Sequence, residues 1–119
     1  EIGILCHTNK QLQLVEDCFS AYGIDTLKLS SEKADLRSNP GVSLCTMHRA
    51  KGLEFKAVAI PFMSLNQFPP KWLLDRAIDE ADKEDIEAQM KSLLHVAATR
   101  AIGHLRASWS GQESKFFSS

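Results

Sequence analysis

The stretch CTMHRAKGLEF, Cys45 to Phe55, gathers Thr46, His48, Arg49, Lys51, Gly52 and Glu54 within nine consecutive positions. A hydroxyl, an imidazole, two cations, a flexible hinge and a carboxylate lie close enough to act together. Gly52 lets the backbone turn tightly or take a positive φ. Backbone N–H groups and Lys51 can meet a phosphate. Glu54 can accept hydrogen bonds from hydroxyls such as those of a ribose. The same residues equally suit a charged surface turn in which Lys51 and Glu54 simply pair. A second group, LLHVAATRA from Leu93 to Ala101, places Thr99 and Arg100 at the end of a helical pattern. An arginine there either complements the helix dipole or presents a rigidly held guanidinium to phosphate oxygens, bidentately where geometry allows.

The surrounding pattern must position these groups. Ile2–Cys6 is a continuous apolar run of strand length, as in a strand buried on both faces. A helix follows, capped by Thr8 or Asn9 and ended by Gly23, with Leu12, Val15, Phe19 and Tyr22 at helical spacing and Leu14 and Cys18 beside them. A second strand is expected around Thr26 to Leu29, which completes one βαβ unit. Ser30 to Gly41 is polar and turn-rich and reads as a loop. Val42–Thr46 and Lys56–Phe62 read as the third and fourth strands. Met63 to Trp72 reads as irregular, with Pro69 and Pro70 against a helix. The longest helical pattern runs from about Asp79 to Ala101, with acids in its first turns, a stop at Gly103 and a fifth strand over His104 to Ser110. This alternation predicts an α/β fold: a mostly parallel sheet of about five strands, flanked by helices in three layers. Ligands of such sheets bind at the carboxyl ends of strands. The expected site therefore follows Cys6 and Thr46, with the long helix presenting polar groups toward the same edge.

At 119 residues the chain is expected to be one domain, residues 1–119. A net charge of −1 excludes a globally basic nucleic-acid binder and leaves room only for a local basic site. Cys6, Cys18 and Cys45 are odd in number and lack CxxC spacing, which reads as reduced core cysteines of a cytoplasmic protein. The four histidines show no metal-binding spacing, so no metal site is expected. No apolar run approaches a membrane span and no signal peptide is visible. The chain opens on Glu1 and enters a strand at once, which reads as a piece of a longer polypeptide.

Taken together, the two motifs point further. TMHRAKGLEF followed by an apolar strand resembles motif V of UvrD/Rep-type superfamily 1 DNA helicases, T-x-H-x-x-K-G-L-E-F. LLHVAATRA resembles their motif VI, which ends V-A-x-T-R-A. The opening Ile2 to Ile24 looks like motif IV, a strand followed by R-T-N and an amphipathic helix. The order is right, and the resemblance covers about Ile2 to Trp109. It implies a RecA-like domain, the second of two motor domains that share ATP in the cleft between them. It implies that Arg100 is an arginine finger on the γ-phosphate and that Glu54 contacts the sugar side of the nucleotide. Lys51 and Gly52 would shape that loop, and His7 would offer a second phosphate contact that is weakened, or made only when its ring is protonated. Thr46, His48, Arg49 and Thr99 would couple the nucleotide to DNA. The implied cofactor is ATP with Mg²⁺, held mainly by the first motor domain. The implied partners are single-stranded or partly duplex DNA, tracked 3′ to 5′, and the N-terminal motor domain of the same polypeptide.

The departures are equally readable. No G-x-x-x-x-G-K-[ST] is present, so this chain alone is expected not to hydrolyse ATP. His7 stands where the family carries arginine, and Ser30 to Gly41 replaces a large accessory insertion. These features keep two other readings open. One is a nucleotide-sensing or docking module that retains the fold. The other is a motor serving a nuclease or DNA-repair component. Phe62, Phe68, Trp72 and Trp109 are the candidate stackers for bases, with Trp72 the one expected to be exposed.

Overall fold

The computed structural model describes residues 2–29 and 41–117. Ile2–Cys6 forms β1, and its apolar run is continuous because β1 is the middle strand of the sheet and both of its faces are covered. Helix α1 (Asn9–Ala21) follows, then β2 (Leu27–Lys28), β3 (Val42–Thr46) and β4 (Phe55–Ile60). A short helix α2 (Lys71–Leu74), the long helix α3 (Glu80–Ala98) and β5 (Ala101–Ala107) complete the order. The sheet runs β2-β3-β1-β4-β5 and every pairing is parallel. The expected five-stranded, three-layered α/β architecture is the one observed. The expected loop falls at residues 30–40, outside the described residues.

Side chains alternate across the sheet. Ile4, Cys6 and Leu44 pack on Leu12, Val15 and Phe19 of α1. Leu5, Cys45, Val58 and Ile60 pack on Met90 and Ala97 of α3, together with Met47, Ala50 and Phe68. The buried stripe of α1 is narrower than its apolar pattern: Leu14, Cys18 and Tyr22 are exposed. Cys18 therefore corrects the expectation of three core cysteines, because it lies on the outward side of a helix that covers the sheet with one face only.

The ends of α1 follow local chemistry. The Thr8 hydroxyl accepts from the N–H of Gln11 at 3.2 Å. At the other end Gly23 takes φ +74, the N–H of Ile24 reaches Phe19 O and that of Gly23 reaches Ser20 O, which is a Schellman close.

Two boundaries move. Helix α3 ends at Ala98, and β5 begins at Ala101 instead of His104. The cause is sheet pairing: the N–H of Phe55 donates to Arg100 O at 2.9 Å and Ala101 pairs with Phe55. That capture overrides helical spacing that would otherwise continue. Gly103 does not stop a helix. It lies where β5 carries one residue more than β4, and a Cβ there would come within 3.1 Å of Lys56 O.

The connection from β3 to β4 is the unusual element. Parallel strands ordinarily need a crossover of about a dozen residues or more. Here residues 47–54 return from the carboxyl edge to the amino edge and pass over β1. They begin as a single 3₁₀ turn, Met47–Arg49, whose Met47 is buried against α3 together with Ala50. By strand register, Phe55 and Thr46 differ by six residues along the sheet, which is ~20 Å at the strand rise of about 3.3 Å.

Candidate functional site

The singled-out residues divide between the two edges of the sheet, and that corrects the expectation of one site at the carboxyl edge. A helix that crosses back to start a parallel strand must deliver its C-terminus to the amino edge. Thr99 and Arg100 end α3 and so lie there, beside Glu54. Thr46, His48, Arg49 and His7 follow β3 and β1 at the carboxyl edge. Lys51 and Gly52 form an exposed turn on the connection between them, with Gly52 at φ +86.

At the amino edge, Arg100 is half-buried and held by its own helix end. Its Nε donates to Val96 O at 3.2 Å and its Nη2 to Thr99 Oγ1 at 3.2 Å. The Thr99 hydroxyl donates in turn to Val96 O at 2.8 Å. These bonds satisfy a carbonyl that the last helical turn leaves without a partner. Among the described residues no carboxylate pairs with Arg100. Glu54 is exposed and, among the described residues, makes no ion pair. The ordering of this edge depends on Phe55, whose ring lies across Gly3 of β1. A Cβ on Gly3 would meet the ring at 2.6 Å.

At the carboxyl edge, the His7 ring lies 5.8 Å from that of His48 and meets Phe68 edge-on at 5.5 Å. Its backbone N–H is taken by Gln11 Oε1 at 3.0 Å, and its Nδ1 is buried without a hydrogen-bond partner. Burial first, and the neighbouring His48 second, hold its pKa below the ordinary histidine value. Thr46 is buried, whereas His48 and Arg49 are exposed. A cavity of about 360 Å³ opens beside His7, lined also by Thr8, Lys10, Gln11, Asn66 and Trp72 among others.

The geometry sets Thr99 against Arg100, places Glu54 at the same edge, and brings His7 together with His48. It does not bring His7 to Arg100, since the two lie at opposite edges. Thr99, grouped from sequence with the coupling residues, lies against Arg100 instead. Among the candidate stackers Trp72 is 56% exposed and Trp109 45%, Phe62 is half-buried, and Phe68 is fully buried in the core. Sequence reasoning passed over Lys10, Gln11 and Asn66. The one local signal was Asn66, a residue type that tolerates the left-handed conformation it adopts here at φ +71. Among the described residues no group of three or more His, Cys, Asp or Glu could hold a metal ion.

Comparison with known proteins adds the relatives. ATP-dependent DNA helicase PcrA from two strains of Staphylococcus epidermidis is 39% identical over 75 residues, 63% of this chain and 10% of the relative. The chain thus spans about a tenth of the length of these curated relatives. The C-terminal domain of a possible DNA helicase from Lactobacillus plantarum superposes with a TM-score of 0.66 at 20% identity, over 98% of this chain and 60% of that one. That likeness establishes the fold. The UvrD-like helicase C-terminal domain model matches residues 8–112. The chain belongs to the UvrD-like helicase C-terminal domain family.

Proposed function

We propose that this chain is the second, C-terminal RecA-like motor domain of an ATP-dependent DNA helicase. Its amino edge would close on ATP–Mg²⁺ held by an N-terminal motor domain of the same polypeptide. Its carboxyl edge would carry part of a single-stranded DNA track. The observation that carries this reading is Arg100, a half-buried guanidinium gripped by its helix end and left without a carboxylate partner among the described residues. Three of its five N–H donors are left over by the two bonds it makes. That supply suits the charge that spreads over a transferring γ-phosphoryl group, where such an arginine is worth roughly 10³–10⁵ in rate.

The other residues take roles that follow from their places. Glu54, exposed beside Arg100, would accept hydroxyl hydrogen bonds from the sugar. Lys51 and Gly52 would shape the approach to it. Thr46, His48 and Arg49 would face the strand from the far end of the same connection, with Trp72 as a stacking surface. His7, at that edge, would act on the strand side and not on the phosphate. Magnesium would be held by the first motor domain.

The test is ATP turnover by the full-length polypeptide, with and without single-stranded DNA, for wild type and Arg100→Ala. The expected result is DNA-stimulated turnover whose kcat falls about 10³-fold or more in the variant. Turnover that DNA does not stimulate, or that Arg100→Ala leaves intact, would sink the motor reading and favour a nucleotide-sensing or docking module.

A further inference from the structure

We infer that Thr99 is the positioning residue for Arg100, setting the direction in which the guanidinium faces. The inference rests on the proposed role of Arg100 and deepens it. Within the planar guanidinium, Nε and Nη2 share one edge. That edge is clamped by two oxygens, Val96 O and Thr99 Oγ1, each at 3.2 Å. The clamp is itself fixed, because the Thr99 hydroxyl spends its proton on Val96 O at 2.8 Å. The hydroxyl therefore has only acceptor capacity to offer, and it offers it to Nη2. The opposite edge, formed by Nη1 and the second N–H of Nη2, is left to meet two phosphate oxygens side by side.

Without the Thr99 oxygen, the guanidinium keeps a single contact, Nε to Val96 O, and can swing about it. A hydroxyl bonded to its own helix carbonyl is common at helix ends and by itself means little. What distinguishes Thr99 is the second bond, from the residue that immediately follows it. Thr99 is exposed, so these bonds add little to stability. Their effect should fall on geometry at the reacting phosphate, where a misplacement of about 1 Å can cost on the order of 100-fold in rate.

The experiment uses the full-length polypeptide and four variants: Thr99→Val, Thr99→Ser, Arg100→Ala and the Thr99→Val/Arg100→Ala double. Thr99→Val keeps the branched shape and removes the oxygen, and Thr99→Ser keeps the oxygen. Thr99→Val should lower kcat and kcat/KM for ATP together, by about 10- to 100-fold. Thr99→Ser should restore most of that loss. The double variant should be no slower than Arg100→Ala alone, because the hydroxyl acts through the guanidinium. Single-stranded DNA affinity without nucleotide, and Tm, should stay at wild-type values. Wild-type turnover in Thr99→Val beside a crippled Arg100→Ala would overturn the role of Thr99 and spare that of Arg100. An equal loss in Thr99→Ser and Thr99→Val, or a loss confined to DNA affinity, would overturn it too. An Arg100→Ala variant with normal turnover would bring down both.

Discussion

The backbone N–H of Phe55 donates to the carbonyl of Arg100 at 2.9 Å, so the end of the Cys45–Phe55 stretch is bonded to the arginine of the Leu93–Ala101 stretch. Glu54, the residue before Phe55, is thereby brought to the same edge as Arg100 although the two are far apart in sequence. The bond also opens the ladder between β4 and β5. Whatever moves Phe55 moves the base on which the Arg100 side chain stands.

Gly3 controls Phe55 from below. A methyl group at Gly3 would press on a buried ring at 2.6 to 2.8 Å. Gly3→Ala should therefore destabilise the fold by about 1–3 kcal/mol, the usual cost of overpacking. It should also reduce ATP turnover in the full-length polypeptide, since the displaced ring pulls on the Arg100 carbonyl. Chemical denaturation and kcat measured on the same preparation check both halves. An unchanged denaturation midpoint would contradict the contact.

Trp72 stands out in solvent at the rim of the carboxyl-edge cavity. Trp72→Ala should leave Tm nearly unchanged. It should weaken single-stranded DNA binding by about 1–3 kcal/mol if one base stacks on it. Fluorescence anisotropy with a labelled oligonucleotide reads this directly, and an unchanged Kd would remove Trp72 from the track.

The thiols should divide by burial. Burial pushes Cys6 up to about 12 and Cys45 up to about 11, the latter against a smaller opposing pull from Arg49. Both are sealed in the sheet, and Cys18 is exposed. A thiol reagent at neutral pH should modify Cys18 rapidly and the other two only on unfolding. Mass spectrometry after brief exposure resolves the sites, and early modification of Cys6 or Cys45 would contradict the packing.

His7 should make stability fall in acid. Burial, then His48, hold its folded-state pKa below the ordinary 6.5. The unfolded chain therefore takes up the proton first as pH drops. The stability linked to His7 is full above about pH 6.5 and is lost as pH falls through the lower folded value. On its surroundings, His48 faces it from the β3–β4 connection, Lys10 lines the same cavity from α1, and Phe68 presents an apolar ring. No carboxylate among the residues lining that cavity offsets a charge. Tm measured at about pH 7.5 and about pH 5.5 should fall less in His7→Gln than in wild type. Equal falls would show that His7 does not carry the effect.

Much of this was legible in the residues. The apolar runs at 2–6 and 42–46 are the strands that form, because a strand buried on both faces leaves little else for such a run to do. Thr8 and Gly23 mark the ends of α1 by their own chemistry. The start of β5 was not legible, since Thr99 to Ala101 continue a helical spacing and only pairing with β4 decides otherwise. Nor was the division of the site. Thr46 and Glu54 are near neighbours in sequence, and nothing in their types says that the chain between them crosses the whole sheet. Phe68 reads as an aromatic beside two prolines; its burial comes from the closing of the Met63–Pro70 segment over His7 and Phe116.

That crossing gives the spacing of the motif a meaning apart from the chemistry of its letters. Phe55 lies ~20 Å along the sheet from Thr46 and about 10 Å across it, two strand spacings away, a diagonal of about 22 Å. Nine steps of chain join them, and fully extended they reach about 30 Å. The 3₁₀ turn at Met47–Arg49 advances only about 2 Å per residue and lowers that reach to about 26 Å. That exceeds the diagonal by about 4 Å, and the turn closed by the Leu53 N–H to Ala50 O takes up the difference. One residue removed would cut that reach to about 23 Å, so the sheet could close only with the turn at Ala50–Leu53 opened. The interval from Thr46 to Phe55 thus joins one edge of the sheet to the other, the two places at which the domain is proposed to meet its two polyanions.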